Sequence, residues 1–325
     1  MKAEVPAYVG KFLHSAVRRL RQFAYGSPFP APAKAHDRGV TRLPRVGLAL
    51  GGGFARGVAH VGVLKVLTEN AIPIDALAGT SAGSMAAAAF ASGCSIDDMI
   101  AAVRKLRWSR IARWTFSRLG FATNERMEAF LADLLRCRTF EQLKIPLAIV
   151  AGDVVTGKAV TFREGNLITP VRASCCFPGL FTPVEYQGRL LVDGVVVGSV
   201  PATALREMGV DVIVGVHMSG DGTPPPRPTN LFQIVGESFQ IIQNLNQANW
   251  RSQCDLVIEP KVLDVRWDEF ERGEDLIAAG EAAARAALPA LRLLLKMRRG
   301  IPVPLVTRSA PRTSPAALEP DLNSG

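Results

Sequence analysis

Two glycine-bounded stretches carry the residue types that could do chemistry. Gly79-Thr80-Ser81-Ala82-Gly83 fits the pattern G-x-S-x-G. It follows an apolar run and opens an alanine-rich helical stretch, the setting of a nucleophile elbow. A serine on so tight a turn needs glycine neighbours to avoid clashes. The helix beyond it aims its N-terminal N–H groups and dipole at the nucleophile, favouring negative charge there. Upstream, Gly51-Gly52-Gly53-Phe54-Ala55-Arg56-Gly57 also joins an apolar run to a helical pattern. A dinucleotide-binding loop would need an acidic residue at the end of the second strand. Asp75 stands at its beginning, and Thr80 and Ser81 occupy its end. An oxyanion hole fits better, with the backbone N–H groups of Gly52 and Gly53, and Gly51 beside them, offered to a substrate carbonyl. Parallel strands end on the same edge of a sheet, which brings this loop toward Ser81. For each stretch the plain alternative is a glycine-rich turn that serves packing alone.

A nucleophilic serine needs a base. The four histidines are His14, His36, His60 and His217. The order Ser81…Asp193…His217 matches that of an α/β-hydrolase triad, and His217 ends an expected strand. Leu190-Leu191-Val192-Asp193-Gly194-Val195 places an aspartate at the end of an apolar run, followed by glycine. On the residues alone, a Ser–Asp pair and a Ser–Asp–His relay both stay open.

The elements that must position these residues follow from periodicity. Strands are expected at the apolar run after Arg45, at 74–78, 147–155, 159–162, 210–216 and 256–258. Helical patterns lie between most of them, notably 232–249 and 276–295. Such alternation predicts an α/β fold: three α/β/α layers with a mostly parallel central sheet. The stretch 104–121 holds Arg104, Lys105, Arg107, Arg110, Arg113 and Arg118 without an acid, interleaved with Trp108, Trp114, Phe116 and Phe121. It reads as a helix with aromatics in the core and a solvated basic face, or as a lipid-facing patch. Single-strand nucleic-acid binding would use the same residue types, but no nucleic-acid motif accompanies them.

Charge divides the chain of 325 residues. The net +9 resolves into +7 over residues 1–45, +3 over 296–325 and −1 in the body between them. A basic balance confined to the tails argues against nucleic acid as a partner and for contact with an anionic membrane surface. Residues 1–44 read as a basic extension whose stretch 11–25 forms an amphipathic helix. Residues 45–298 read as one hydrolase-sized domain, and 299–325 as a disordered Pro/Ser-rich tail. The amphipathic helix is expected either to dock on its own domain or to lie on anionic lipid; an organelle presequence is a further reading. The uncharged run between Asp75 and Asp97 is rich in Gly, Ser and Thr and reads as strand, turn and helix rather than a membrane span. Five cysteines fall in no metal or redox spacing, and the N-terminus has no apolar signal region. Reduced thiols and a cytoplasmic setting, peripheral on the inner face of the membrane, are the expectation.

With these blocks in view, the chain resembles the bacterial patatin-like phospholipases. The resemblance covers about residues 45–220 and rests on four blocks in order: GLALGGGFARGVAHVGVLKVL (47–67), AGTSAG (78–83), RASCCFPGLFTPV (172–184) and LVDGVVVGSVP (191–201). It implies the three-layer fold, a Ser81–Asp193 dyad without histidine, and acyl-ester hydrolysis of phospholipids or lysophospholipids. It also implies an oxyanion hole in the glycine loop supported by Arg56, with no cofactor and no metal. Gly57, Gly79, Gly83 and Gly194 complete the motifs. Three departures stand out. Phe54 occupies a position where many members have glycine, Val195 follows Asp193-Gly194, and Gly198-Ser199 replaces a frequent asparagine. The alternatives are an esterase with a Ser81–Asp193–His217 triad and a catalytically inert membrane-binding module.

Overall fold

The computed structural model describes residues 43–219 and 227–298; the expected N-terminal helix and C-terminal tail lie outside the described residues. Apolar runs without helical periodicity become strands: β1 (Val46–Leu50), β2 (Ala76–Thr80), β5 (Leu147–Asp153), β9 (Val212–Val216) and β10 (Leu256–Ile258). All five are parallel, in the spatial order β10-β9-β1-β2-β5. β2 ends two residues later than its hydrophobic pattern suggests, so the strand runs straight into the elbow.

Beyond β5 the sheet turns antiparallel. β6 (Lys158–Phe162) pairs with one edge of β5, from Ile149 opposite Phe162 to Asp153 opposite Lys158. The other edge is shared. β2 covers its first half, ending with Thr80 opposite Val150. β8 (Arg189–Asp193) arrives from the opposite direction and covers the second half, starting at Asp193 opposite Ala151. A short strand β7 (Val184–Tyr186) closes that side. Two strands therefore meet end to end on one edge of β5, with Thr80 and Asp193 at the junction.

Helices cover both faces. On one, Leu48, Leu50, Leu77 and Ile149 pack with residues of α1 (Ala59–Glu69), α2 (Ala82–Ala91), α3 (Ile96–Lys105), α4 (Arg126–Leu134) and α8 (Gly273–Arg298). On the other, Ala49, Ala76, Ala78 and Ala148 meet Leu205 of α6 (Ala202–Glu207) and Trp250 of α7 (Leu231–Arg251). Strand residues alternate between the two cores, as the pleat requires. The expected three layers and mostly parallel sheet are present.

The basic, aromatic stretch is not one helix. α3 stops at Lys105, a single turn spans Trp108–Ile111, and a hairpin follows of β3 (Arg113–Ser117) and β4 (Gly120–Thr123). Trp108 is half-buried and stacks on Phe181 at 5.6 Å, but Trp114 and Phe121 stand at the surface. The alternation Arg113-Trp114-Thr115-Phe116-Ser117 has a period of two, which suits a strand and not a helix. None of the described helices is long and apolar enough to cross a membrane. All five cysteines are free.

Candidate active site

The junction on β5 explains how residues 112 positions apart come together. Ser81 follows the last residue of β2, and Asp193 is the last residue of β8. The Ser81 hydroxyl donates to Asp193 Oδ2 at 2.6 Å. The other carboxylate oxygen accepts the Val195 N–H at 2.9 Å. Both residues are buried, at 4% and 1% exposure. Burial pushes the Asp193 carboxyl up to about 7, against the opposing pull of its two hydrogen bonds.

Ser81 sits at φ 53°, ψ −129°, a left-handed conformation that costs on the order of 1–3 kcal/mol for a residue with a side chain. Its surroundings hold it there. The Ser81 N–H donates to Ser174 Oγ at 2.8 Å, and that hydroxyl donates to the Val150 carbonyl at 2.6 Å. Ser174, at the end of α5 (Ile168–Ser174), thus ties the elbow to β5. Residue types and spacing alone do not mark its role; a hydroxyl within the block RASCCFPGLFTPV is the only signal for it. The flanking glycines are sterically required. A Cβ on Gly79 would lie 2.4 Å from Ser84 Cα, and one on Gly83 2.2 Å from the Leu50 carbonyl oxygen. α2 starts immediately after Ser81, so its N-terminus faces the hydroxyl.

The glycine loop departs from expectation in which N–H groups it offers. Gly51 N–H donates to the Val216 carbonyl and Gly52 N–H to the Ser199 carbonyl, both at 3.0 Å. Neither is available to a substrate oxygen in this arrangement. The N–H groups of Gly53 and Phe54 have no acceptor among the described residues. Gly52 supplies room instead: a Cβ there would be 2.3 Å from Val195 Cγ1 and 3.4 Å from Ser81 Cβ. A Cβ on Gly57 would crowd Ala82, and one on Gly194 the Val150 carbonyl, so both remaining motif glycines are contact points around the elbow.

Phe54 has φ 50°, the backbone region that favours glycine. Its ring compensates by packing against Phe177 and Trp267, each at a centroid distance of 5.0 Å. Arg56 is 6% exposed and donates from Nε to the Val265 carbonyl at 2.6 Å, pinning the loop; burial lowers its pKa.

His217 does not join a relay. Its ring packs on Trp250 at 4.9 Å, and burial, reinforced by Arg251, lowers it to about 4. Neither Ser81 nor Asp193 bonds it. His60 is buried, bonds the Gly51 carbonyl through Nε2 at 2.7 Å, and is likewise lowered to about 4 by burial. It braces the glycine loop from behind. Asp75 accepts the Val46 N–H, a strand-end contact remote from any ligand role.

Ser81 and Phe54 border two cavities. The first is almost wholly apolar and runs from Ser81 past Met85, Met99, Val103, Phe130 and Leu134. It comprises about 820 Å³ of space, its open mouth included. The second, about 600 Å³ on the same measure, is lined by Gly53, Arg56, His217 and the α7 residues Glu237, Gln240 and Gln243. A third, apolar space of about 450 Å³ opens between Phe121 of the hairpin and Leu231 and Phe232 of α7. On the hairpin and α7, Trp114, Leu119, Phe121, Leu231 and Ile234 are all more than half exposed. A hydrolysable ester could place an acyl chain in the first cavity and a polar alcohol in the second, with its carbonyl at Ser81.

Residues 48–206 match the family described as patatin-like phospholipase. An uncharacterized NTE family protein of Mycobacterium tuberculosis is 35% identical over 201 residues, covering 61% of this chain and 55% of that protein. A lysophospholipase, nte1, of Aspergillus fumigatus is 26% identical over 257 residues, 76% of this chain and 16% of its own length. The chain thus spans little more than half of the mycobacterial relative. Among solved structures, VipD from Legionella pneumophila aligns with a TM-score of 0.46 at 12% identity, over 78% of this chain and 68% of VipD.

Proposed function

Since the chain belongs to the patatin-like phospholipase family through residues 48–206, we propose that it is a serine lipid acyl hydrolase acting on phospholipids or lysophospholipids through a Ser81–Asp193 dyad. The observation that carries this reading is the 2.6 Å hydrogen bond from the Ser81 hydroxyl to a fully buried carboxylate. An ordinary aspartate is too weak a base for a serine at neutral pH. A carboxyl raised to about 7 is matched to that task.

In the reaction, Ser81 Oγ attacks the ester carbonyl carbon while its proton passes to Asp193 Oδ2. The tetrahedral oxyanion forms beside the Gly53 and Phe54 N–H groups, with the α2 N-terminus adding positive potential. Arg56 keeps the loop in place from its bond to Val265. Collapse of the intermediate breaks the ester C–O bond, and the departing alcohol takes the proton from Asp193. Asp193 then takes a proton from water as it attacks the acyl-Ser81 ester, and collapse breaks the acyl–Oγ bond, releases the fatty acid and returns the proton from Asp193 to Ser81 Oγ. The apolar cavity beyond Ser81 suits the acyl chain, and the exposed apolar residues of the hairpin and α7 suit docking on a membrane surface.

The test is hydrolysis of a short-chain ester and a lysophospholipid by the wild type, Ser81→Ala, Asp193→Asn and His217→Ala, with EDTA present. Activity in wild type and His217→Ala, lost in the other two, is the expected result. Loss in all three with folding intact would move the mechanism to a triad. Sensitivity to EDTA would contradict a metal-free dyad. No labelling of Ser81 by a fluorophosphonate would mean an inert site.

A further inference from the structure

The second cavity holds two charged side chains that the acyl-transfer steps leave unexplained. Arg56 is 6% exposed, and its hydrogen bond, through Nε, goes to Val265; its terminal N–H groups have no acceptor among the described residues. Glu237, on the face of α7 that looks into the same cavity, is half-buried and makes no hydrogen bond or ion pair among the described residues. The two are not in contact with each other, yet Glu237 is the carboxylate that most offsets the burial of the Arg56 guanidinium. A cation and an anion that line one cavity without bonding each other can each meet an opposite charge of a ligand held there. Aromatic side chains line the same cavity. Trp267, Phe54, Phe177 and Phe239 form a chain of ring contacts at 4.9–5.0 Å.

We infer that this cavity is a headgroup subsite for a zwitterionic phosphoester, with Arg56 facing the phosphate and Glu237, aided by the aromatic wall, selecting an ammonium group. The assignment rests on the lipid acyl hydrolase reading above and adds Glu237 as a specificity-determining residue. The chemistry follows from the pieces. A guanidinium offers paired N–H donors to phosphate oxygens. An ammonium or quaternary ammonium group is attracted both by a carboxylate and by ring faces. An anionic headgroup lacking an amine would set its polar end against Glu237 with nothing to offset the carboxylate charge.

The experiment compares kcat/KM for lysophosphatidylcholine, lysophosphatidylethanolamine and lysophosphatidylglycerol of one acyl chain, in the full chain and in Glu237→Gln and Glu237→Lys. The wild type should favour the two ammonium lipids over the glycerol lipid by roughly tenfold, the order expected for one charge-assisted contact. Glu237→Gln should erase most of that ratio through KM, with kcat little moved. Glu237→Lys should reverse it. A general packing defect would lower all three lipids alike and leave the ratio standing, and that outcome would overturn the assignment. So would a wild type that hydrolyses the glycerol lipid as well as the others, whatever the variants do. If the wild type cleaves no lysolipid while a neutral short-chain ester is turned over at Ser81, it is the phospholipid reading that fails, and the subsite falls with it.

Discussion

Beneath the substrate space, Ser81, Ser174 and Asp193 are buried and hydrogen-bonded, and the flanking glycines leave no room for a Cβ. Above it, α7 buries only Gln233 and Trp250 of its 21 residues, while Leu231, Ile241 and Leu245 are 60–78% exposed. The floor is fixed by close packing against a sheet edge. The roof is held by a few ring contacts, such as Phe232 with Phe121 and Phe239 with Phe177. Chemistry that tolerates no displacement is built on the first kind of structure. On the reading proposed above, selection and access, which gain from exposed and unpaired groups, fall to the second.

Breaking the floor should have the largest effect. Ser81→Ala is expected to lower kcat by at least about 10⁴-fold, since a nucleophile and its base act as a unit. Asp193→Asn should come close to that loss in steady-state assays and yet leave the fold at least as stable. The amide can still accept from Val195 N–H and donate toward Ser81 Oγ, and it removes a carboxyl that resists ionisation.

Steric intrusion comes next. Gly83→Ala would drive a Cβ into the Leu50 carbonyl, where neither backbone can yield. A loss of about 3 kcal/mol or more in denaturant unfolding is expected, in the upper range for single substitutions. A near-neutral result would mean that the elbow is softer than its contacts imply, and the contrast with the roof would weaken.

The pH dependence sharpens the same point. Because Asp193 must be ionised to accept a proton, kcat/KM should rise with pH through about 7 and level off above it. Stability should move the other way. The folded state holds the Asp193 proton up to about pH 7, whereas the unfolded chain loses it near the ordinary carboxyl value, so folding weakens as pH rises between those limits and is flat above them. Asp193→Asn should abolish this slope, and its melting temperature should gain most on wild type above pH 7. A wild-type profile flat from pH 5 to 8 would sink the raised-carboxyl mechanism.

The roof should give the smallest effects. Leu119→Ser and Leu245→Ser, at the hairpin tip and on the outer stripe of α7, are expected to weaken binding to anionic liposomes several-fold each. Neither side chain lines the cavities beside Ser81, so turnover of a soluble short-chain ester should persist. Unchanged sedimentation with liposomes would remove this surface from membrane docking.

What could be read from residue order follows the same division. The elbow was legible because a strand, a glycine-bounded serine and a helix are contiguous, and Asp193 because it ends an apolar run before glycine. The donors of the glycine loop were not. Gly52 N–H is taken by the Ser199 carbonyl, a contact across 147 positions that no local pattern encodes. Ser174 escaped notice because its role depends on where β5 runs. The helical reading of 104–121 fails because charge and aromatic content outweigh a period-two alternation broken by Leu119-Gly120. Its exposed rings exist only relative to α7, more than a hundred residues away.

The end-to-end meeting of β2 and β8 has a consequence for how the protein is made. The nucleophile emerges from the ribosome 112 residues before the acid that would activate it. A domain folds as a unit, and a chain still short of β8 lacks the strand that completes the edge of β5 beside the serine elbow. On the mechanism proposed here, such a nascent chain has a serine but no base. The capacity to attack lipid is therefore switched on by translation itself, only after the strand that carries Asp193 has been added to β5.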